Sequence, residues 1–403
     1  MSVYDETGTT RNTTDADYIA VAALSTGPVV HARNRDEKGN LVITAQRRQG
    51  LPYMGSGPPG AGKSSLIEAT LREIGFEVIA MDLGVHEPQD ISGAVRVDDK
   101  PFFTFKSHPD LWDAYNGGEP GFAVLLDDIA DAPQALQNAT LRLVQTGQVS
   151  GHSMFHVPMF MTYNPPKWDP LYELQSKFAN RGLHHVMDPR NSHRYEAGED
   201  LSPKFDRTAF AATFDHYMGV AKAVTNQFKM NCNRDDFLSA TDPPEFNSAE
   251  DYAYPTGRSW SLATAALAGC YAAGIRSKPL VSAAIGTPAA EALLQYAEKM
   301  DVPALADILG GKVAWKHLRP DQAYTAAQTG AWAAQTVEEV KAMLDGAKTM
   351  RVEVKAPDVM APALRVMYRR TKTAGDNLSQ NDIRSLIQDE IADTMALYQM
   401  KAG

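Results

Sequence analysis

Short apolar runs alternate with amphipathic stretches in the first half of the chain. Continuous apolar runs are typical of parallel strands that are buried on both faces. Runs at residues 76–83, 121–126 and 157–163 therefore predict strands, and another strand, followed by a loop and a helix, is predicted from residue 51. A further short strand is predicted around His184 and His185, whose imidazoles are expected to be hydrogen-bonded structural groups.

Amphipathic helices are predicted between these strands. Apolar residues three and four positions apart form a stripe on one face of a helix. Ile67, Leu71 and Ile74 have this spacing within residues 64–74. A second helix is predicted to start near Pro133 and to end at Gly147, a residue type that favours helix ends. Strands that alternate with helices predict an α/β fold, in which a parallel sheet is flanked by helices.

The second half of the chain is predicted to be mostly helical. Residues 191–204 are polar and predict a loop. Helical patterns follow at residues 260–275, 322–334, 337–347 and 379–400. The last of them has Ile383, Ile387 and Ile391 on one stripe, which predicts an amphipathic helix packed on a partner surface.

Composition narrows the class of protein. Of 403 residues, 44% are hydrophobic and 22% are charged, which indicates a folded chain with a sizeable core. The net charge of -10 argues against bulk electrostatic binding to nucleic acid or to anionic membranes. The first 17 residues lack the pattern of a secretory signal, and no apolar run is long enough to span a bilayer. With Cys232 and Cys270 expected to be reduced, these features predict a cytoplasmic protein.

A phosphate-loop motif carries the clearest chemistry. Its sequence is Gly57-Pro58-Pro59-Gly60-Ala61-Gly62-Lys63-Ser64, followed by Ser65. Glycines let such a backbone curl so that its N–H groups face phosphate oxygens, and the helix that follows adds its dipole. The Lys63 ammonium is predicted to reach the β- and γ-phosphates, and the Ser64 hydroxyl to ligate Mg²⁺. The motif lies between a predicted strand and a predicted helix, which is the context that this function requires.

An acidic pair follows one of the predicted strands. Asp127 and Asp128 come directly after the apolar residues Val124, Leu125 and Leu126. A carboxylate at the tip of a strand can complete the shell of Mg²⁺, and a neighbouring carboxylate can orient or deprotonate an attacking water. We therefore predict that Asp127 binds Mg²⁺ and that Asp128 acts on the water.

Taken together, these segments resemble the MoxR-type branch of the AAA+ ATPases. The resemblance covers about residues 50–267 and rests on the phosphate loop, on Leu-Leu-Asp-Asp-Ile at residues 125–129, on Ala-Pro-Gln at 132–134 and on Gln-Asn at 137–138. The sequence departs from the family at Asp128, where the family has Glu. Because Asp is one methylene shorter, we expect slower turnover and a less direct hold on the water.

The resemblance implies roles for three more residues. Asn164 follows the strand predicted at residues 157–163 and matches the sensor-1 position near the γ-phosphate. Arg181 matches the arginine finger, which acts on the site of a neighbouring subunit. Arg258 matches the sensor-2 arginine at the start of a lid helix.

It also implies a domain plan and a mode of action. The expected parts are a flexible segment at residues 1–22, a nucleotide-binding α/β domain at 23–190, a helical lid at 191–285 and a helical extension at 286–403. Hairpins that project toward a central pore are expected at residues 91–105 and 148–156. Members of this branch form rings, commonly hexamers, and remodel a protein partner that often carries a von Willebrand factor A domain.

Two other functions remain open at this point. One is a nucleic-acid-processing motor of the same superfamily, for which the basic residues Arg365, Arg369, Arg370 and Lys372 could supply a surface, although a solvated helix face is the more frequent reason for such a stripe. The other is a small-molecule kinase, which shares the phosphate loop but needs neither Arg258 in a lid nor a long helical tail. Stimulation of ATPase activity by DNA or RNA would favour the motor, and stimulation by a protein would favour the remodeller.

Overall fold

A computed structural model describes residues 13–35, 41–96, 104–106, 108–116, 121–149, 152–170, 174–239, 253–300, 302–303, 305–372, 378–379 and 381–401. The chain forms two compact units. The first comprises the described parts of residues 11–210 and 233–291, and the second those of residues 211–232 and 292–403.

The first part of the chain contains both helices and strands. In order, these are α1 (Asp15–Leu24), β1 (Thr26–Arg35), β2 (Leu41–Gln49), β3 (Tyr53–Ser56), α2 (Lys63–Glu73), β4 (Glu77–Asp82), α3 (Pro88–Ser92), β5 (Ala94–Arg96), β6 (Thr104–Lys106), α4 (Pro109–Asn116), β7 (Phe122–Asp127), α5 (Gln134–Thr146), β8 (Gln148–Val149), β9 (His152–Ser153), β10 (Met159–Tyr163), β11 (Leu183–Val186) and α6 (Asn191–Glu196).

The rest of the described chain is helical. Its elements are α7 (Arg207–Asn231), α8 (Asp235–Leu238), α9 (Gly257–Ala273), α10 (Lys278–Ile285), α11 (Thr287–Lys299), α12 (Leu305–Leu309), α13 (Pro320–Ala333), α14 (Val337–Val352), α15 (Pro357–Arg370) and α16 (Asn381–Lys401). The helices predicted at residues 260–275, 322–334, 337–347 and 379–400 are thereby confirmed as α9, α13, α14 and α16.

A five-stranded parallel sheet organises the first unit. Its strands lie in the order β11-β3-β10-β7-β4, and every neighbouring pair is parallel. The predicted strands are confirmed, and the central ones are apolar because both of their faces are covered: every residue of β10 is buried. The carboxyl ends of parallel strands meet at one edge of a sheet, so the loops after β3, β7 and β10 are brought to the same edge.

Two short hairpins coincide with the segments in which pore hairpins were expected. Strand β5 pairs antiparallel with β6, and β8 with β9. In the first segment, Ile91 belongs instead to helix α3 and is buried, so the hairpin begins after Gly93. Its turn, at residues 97–103, lies outside the described residues. Another antiparallel pair, β1 with β2, was not predicted.

The N-terminal helix α1 is an integral part of the first unit. Residues 16–23 are all buried, so the boundary predicted at residue 22 falls inside a packed helix and the flexible segment predicted there does not extend to that point. The Asp15 carboxylate accepts hydrogen bonds from His185 Nε2 at 2.9 Å, from the Asp188 N–H at 2.7 Å and from Asn191 Nδ2 at 2.6 Å. Burial opposes ionisation of Asp15, but the hydrogen bond and charge of His185, with the other donors, outweigh it and lower its pKa.

Residues 191–204 differ in part from the predicted loop. Residues 191–196 form α6, because Asp188 builds a turn that starts the helix: its Oδ1 accepts from the Arg190 N–H at 2.9 Å, and its carbonyl accepts from the Asn191 N–H at 3.1 Å. The segment predicted as a lid, residues 191–285, is divided between the two units. The lid therefore remains a prediction.

The second unit has a core of helices rich in alanine and methionine. Gly346 of α14 allows a close approach to Trp315. A Cβ at this position would lie 2.6 Å from the Trp315 ring, so a larger residue would not fit. Arg370, part of the basic stripe, donates through Nη1 to the carbonyls of Ala331, Trp332 and Ala334 at the end of α13. A cation at a helix C-terminus is stabilising, so Arg370 has a structural role. Among the described residues, no helix is both long and apolar enough to cross a membrane.

Asp15→Ala is expected to destabilise the first unit by about 3 kcal/mol at neutral pH, because three buried donors lose a charged acceptor. The measurement is the thermal unfolding midpoint against that of wild type. Since the folded-state pKa of Asp15 is lowered, its contribution is present above the ordinary value of 3.8 and is lost as pH falls below it.

Asp236→Ala is the matched control, because Asp236 is exposed and bound to Arg234 on the surface. It should leave the midpoint unchanged. An equal midpoint for wild type and Asp15→Ala at neutral pH would show that α1 does not depend on this carboxylate.

Candidate active site

The phosphate-loop segment connects β3 to α2. Gly60 and Gly62 have positive φ angles of 76° and 73°, which glycine adopts without strain. A Cβ at Gly60 would meet no atom within 4 Å, so the backbone there is open to its surroundings. Pro59, Gly60 and Ser65 are exposed, whereas Gly57 and Ala61 are buried.

The N-terminus of α2 has no side-chain cap. The helix starts directly after Gly62, which has no side chain that could accept a hydrogen bond from its first turn. By contrast, Thr256 caps α9 and Thr336 caps α14 with their hydroxyls. The first N–H groups of a helix lack partners within the helix, and their dipole favours an anion. The start of α2 thus fits a phosphate group.

Lys63 is directed toward the carboxyl edge of the sheet. Its side chain is 7% exposed. The ammonium donates to Asn164 Oδ1 at 2.8 Å, to the Pro58 carbonyl at 3.1 Å and to the Gly57 carbonyl at 3.4 Å. Burial lowers the pKa of Lys63, and the nearby carboxylates of Asp128, Asp127 and Asp131 oppose that shift. The ammonium is therefore the positive counterpart of an acidic cluster.

Asp127 is fixed by two hydroxyl groups. Ser64 Oγ donates to Asp127 Oδ1 at 2.5 Å, and Thr162 Oγ1 donates to the same oxygen. Helix α2 and strands β7 and β10 each supply one member of this group. The arrangement brings together Ser64 and Asp127, the two side chains predicted to hold Mg²⁺.

Asp128 has an unusual backbone and a raised pKa. Its φ angle is 49°, a left-handed conformation that is uncommon outside glycine and recurs at functional sites. Its N–H donates to Thr162 Oγ1 at 3.0 Å, which anchors this turn. Burial, followed by repulsion from Asp127 and Asp131, raises the pKa of Asp128 to about 6, against the attraction of Lys63.

The residues present fit a magnesium ion. Burial and the charges of Asp169 and Asp82 raise the pKa of Asp131, whose Oδ1 is buried and has no hydrogen-bond partner among the described residues. A cation would relieve the repulsion within this cluster. The described residues contain no group of three or more His, Cys, Asp or Glu side chains suited to a metal. Mg²⁺ is commonly held by one or two carboxylates together with substrate phosphates.

Arg181 and Arg258 are the two arginines for which the resemblance implies a role. Burial and then repulsion from the charge of Arg258 lower the pKa of Arg181. Arg181 Nε donates to the Lys177 carbonyl at 3.0 Å, and its buried Nη1 has no hydrogen-bond partner among the described residues. Arg258 is exposed near the start of α9. Within the described part of the chain, neither arginine forms an ion pair.

A cavity of about 660 Å³ borders the phosphate loop. Its lining includes Gly62, Ser65, Leu66, Ala69 and, from the segment after β11, Asn191 and Ser202. Pockets for small ligands commonly have a volume of several hundred Å³. The cavity shares Gly62 and Ser65 with the predicted nucleotide-binding set.

Several contributors to the site were missed from the sequence. Thr162 bonds both aspartates of the acidic pair, and its sequence signal was a polar residue near the end of an apolar run. Asp82 ends β4 directly beside Asp127 in the parallel register. Asp131 lies just before the helix start predicted near Pro133. Helix α5 starts at Gln134, and Asp131 belongs to the turn after Asp128.

Comparison of the sequence with protein-family models and with curated proteins finds no match.

Proposed function

We propose that this chain is an ATP-hydrolysing protein of the MoxR-like AAA+ type, which assembles into a ring and remodels a protein partner. One observation carries the proposal. At the end of the phosphate loop, Lys63 donates a hydrogen bond to Asn164 and Ser64 donates one to Asp127. Both residues lie at the start of α2, which Gly62 leaves without a side-chain cap. Residues from three separate segments thus converge on one edge of the sheet in the roles that the resemblance implies.

The side chains divide the chemistry as follows. Backbone N–H groups of the loop and Lys63 bind phosphate oxygens, and the cavity beside Gly62 offers space for the nucleoside. Ser64 and Asp127 would hold Mg²⁺, which when bound neutralises phosphate charge. Asp128 and Asn164 orient the attacking water. A carboxylate within hydrogen-bond reach of the attacking water can accept its proton.

The arginines are proposed to serve a neighbouring subunit. The charges of Arg181 and Arg258 repel each other, and Arg181 Nη1 lacks a partner among the described residues. An anion would satisfy both requirements. We propose that this anion is the phosphate chain of ATP bound to the adjacent protomer of a ring, where Arg181 stabilises the charge of the transition state.

Asp128→Asn is expected to bind ATP with Mg²⁺ normally and to lower kcat by roughly 100-fold or more, because the amide cannot accept the proton of the water. Asp127→Asn is instead expected to raise the Mg²⁺ concentration required for ATP binding by at least roughly tenfold, since a charged ligand is lost. Nucleotide titrations at several Mg²⁺ concentrations and single-turnover phosphate release measure these effects.

Asp113→Asn, which alters an exposed carboxylate of α4, is the control and should change neither quantity. Equal loss of nucleotide binding in Asp127→Asn and Asp128→Asn would contradict the division of roles.

Arg181→Ala is expected to bind ATP but to lose up to roughly 10³-fold in kcat, because its neighbour's site lacks the finger. Mixing it with Lys63→Ala should restore part of the activity, since an intact loop then meets an intact Arg181 across a subunit boundary. The measurement is the ATPase rate of the mixture against each variant alone, with mixed rings verified by light scattering and by pull-down of differently tagged subunits.

Arg190→Ala removes an exposed guanidinium bound to Asp188 and serves as the control; its ATPase rate should equal that of wild type. If mixed rings form and the mixture shows no more than the summed rates of its components, Arg181 does not act in trans. A fully active monomer would rule out the ring.

A further inference from the structure

A buried hydrogen-bonded chain connects Asn164 to the turn that carries Arg181. Tyr163, the last residue of β10, directly precedes Asn164. Its hydroxyl lies 3.1 Å from His184 Nδ1, and the two rings meet edge to face with centroids 5.9 Å apart. His184 Nε2 lies 3.0 Å from the Phe178 carbonyl.

The Phe178 carbonyl is also the anchor of the arginine turn. It accepts the N–H of Arg181 at 2.9 Å. The same carbonyl therefore accepts hydrogen bonds from the Arg181 N–H and from His184 Nε2. Phe178 itself is fully buried in the core of the sheet, together with Tyr163.

The donor and acceptor roles in this hydrogen-bonded chain follow from the groups at its ends. A carbonyl can only accept, so His184 Nε2 carries the hydrogen and Nδ1 accepts from the Tyr163 hydroxyl. Burial lowers the pKa of His184 to about 4, so the ring is neutral at physiological pH and keeps this tautomer. Each nitrogen of the imidazole thus has a hydrogen-bond partner.

We infer that His184 is a positioning residue for Arg181. It ties the arginine turn at residues 176–181 to the end of β10, where Asn164 holds Lys63. The inference rests on the proposed function, because it assumes that Arg181 acts on the nucleotide site of a neighbouring subunit. It also implies that nucleotide contacts at Lys63 and Asn164 of one subunit are mechanically connected to the arginine which that subunit presents to the next.

Tyr163→Phe tests the hydrogen-bonded chain with little disturbance to the fold, since it removes one hydroxyl and leaves the ring in place. Tyr53→Phe is the matched control. Tyr53 is equally buried, in the adjacent strand β3, and its hydroxyl has no hydrogen-bond partner among the described residues. His184→Phe, which removes both bonds, provides a stronger variant if it folds.

The first measurement is amide hydrogen exchange, which requires no ATPase activity. In Tyr163→Phe, the peptide that contains residues 176–182 should exchange severalfold faster than in wild type, because the turn opens more often. In Tyr53→Phe the same peptide should be unchanged. Equal exchange rates in all three proteins would overturn the inference.

The second measurement places the substitution on one side of the subunit boundary. In mixtures of Lys63→Ala with Arg181→Ala, the first protein donates the arginine and the second donates the loop. Adding Tyr163→Phe to the arginine donor should lower the restored ATPase rate about tenfold, because a misplaced catalytic group is costly. Adding it to the loop donor should have a smaller effect, and ATP affinity should not change in either mixture.

Equal losses on both sides, or a larger loss on the loop donor, would overturn the inference while leaving the proposed function intact. Absence of restored activity in the mixture without Tyr163→Phe, despite mixed rings, would refute the trans-acting role of Arg181 and with it the functional part of this inference. The exchange result then shows separately whether the chain holds the turn.

Discussion

The hydrogen bond between the Lys63 ammonium and Asn164 Oδ1, at 2.8 Å, connects the two halves of the candidate site. It spans adjacent parallel strands, since Lys63 follows β3 and Asn164 follows β10. The ammonium lies in a mostly buried setting, where an unpaired cation would be costly. The folded protein must therefore supply partners for this ammonium. They are carbonyls of the phosphate loop, Asn164 at the end of β10, and the charges of the carboxylates after β7.

Charge balance explains the rest of the local arrangement. Asp127, Asp128 and Asp131 lie close enough to Lys63 to counter the lowering of its pKa, yet Asp128 and Asp131 both keep raised pKa values. Burial is the largest cause of these raised values, and repulsion among the carboxylates adds to it. Thr162 holds Asp127 and the Asp128 turn in place despite this repulsion. Arg181 and Arg258 carry the opposite charge, and repulsion from Arg258 contributes to the lowered pKa of Arg181. The acidic site suits Mg²⁺ and the two arginines suit an anion, which supports the proposal that Arg181 acts on ATP bound to a neighbouring subunit.

Much of the sheet and of the loop was predictable, because both depend on local pattern. Apolar runs identify β4, β7 and β10, and the glycine pattern identifies the loop before α2. The features that could not be predicted depend on contacts between residues that are far apart in sequence. Thr162 acquires its role from Asp127, 35 positions away, and Asp15 from His185, 170 positions away. His184 and His185 were expected to be hydrogen-bonded, and both are, but their partners could not be named. The electrostatic effect of Arg258 on Arg181 arises from tertiary packing alone.

The proposed ATPase function depends most directly on Lys63, so the decisive measurement is ATP binding and phosphate release by Lys63→Ala. The control is Lys341→Ala, which truncates an exposed lysine of α14. We expect Mg²⁺-dependent ATP binding and hydrolysis by wild type and by Lys341→Ala, and the loss of both in Lys63→Ala although its thermal unfolding shows a folded protein. A folded Lys63→Ala that binds and hydrolyses ATP at the wild-type rate would contradict the proposed function.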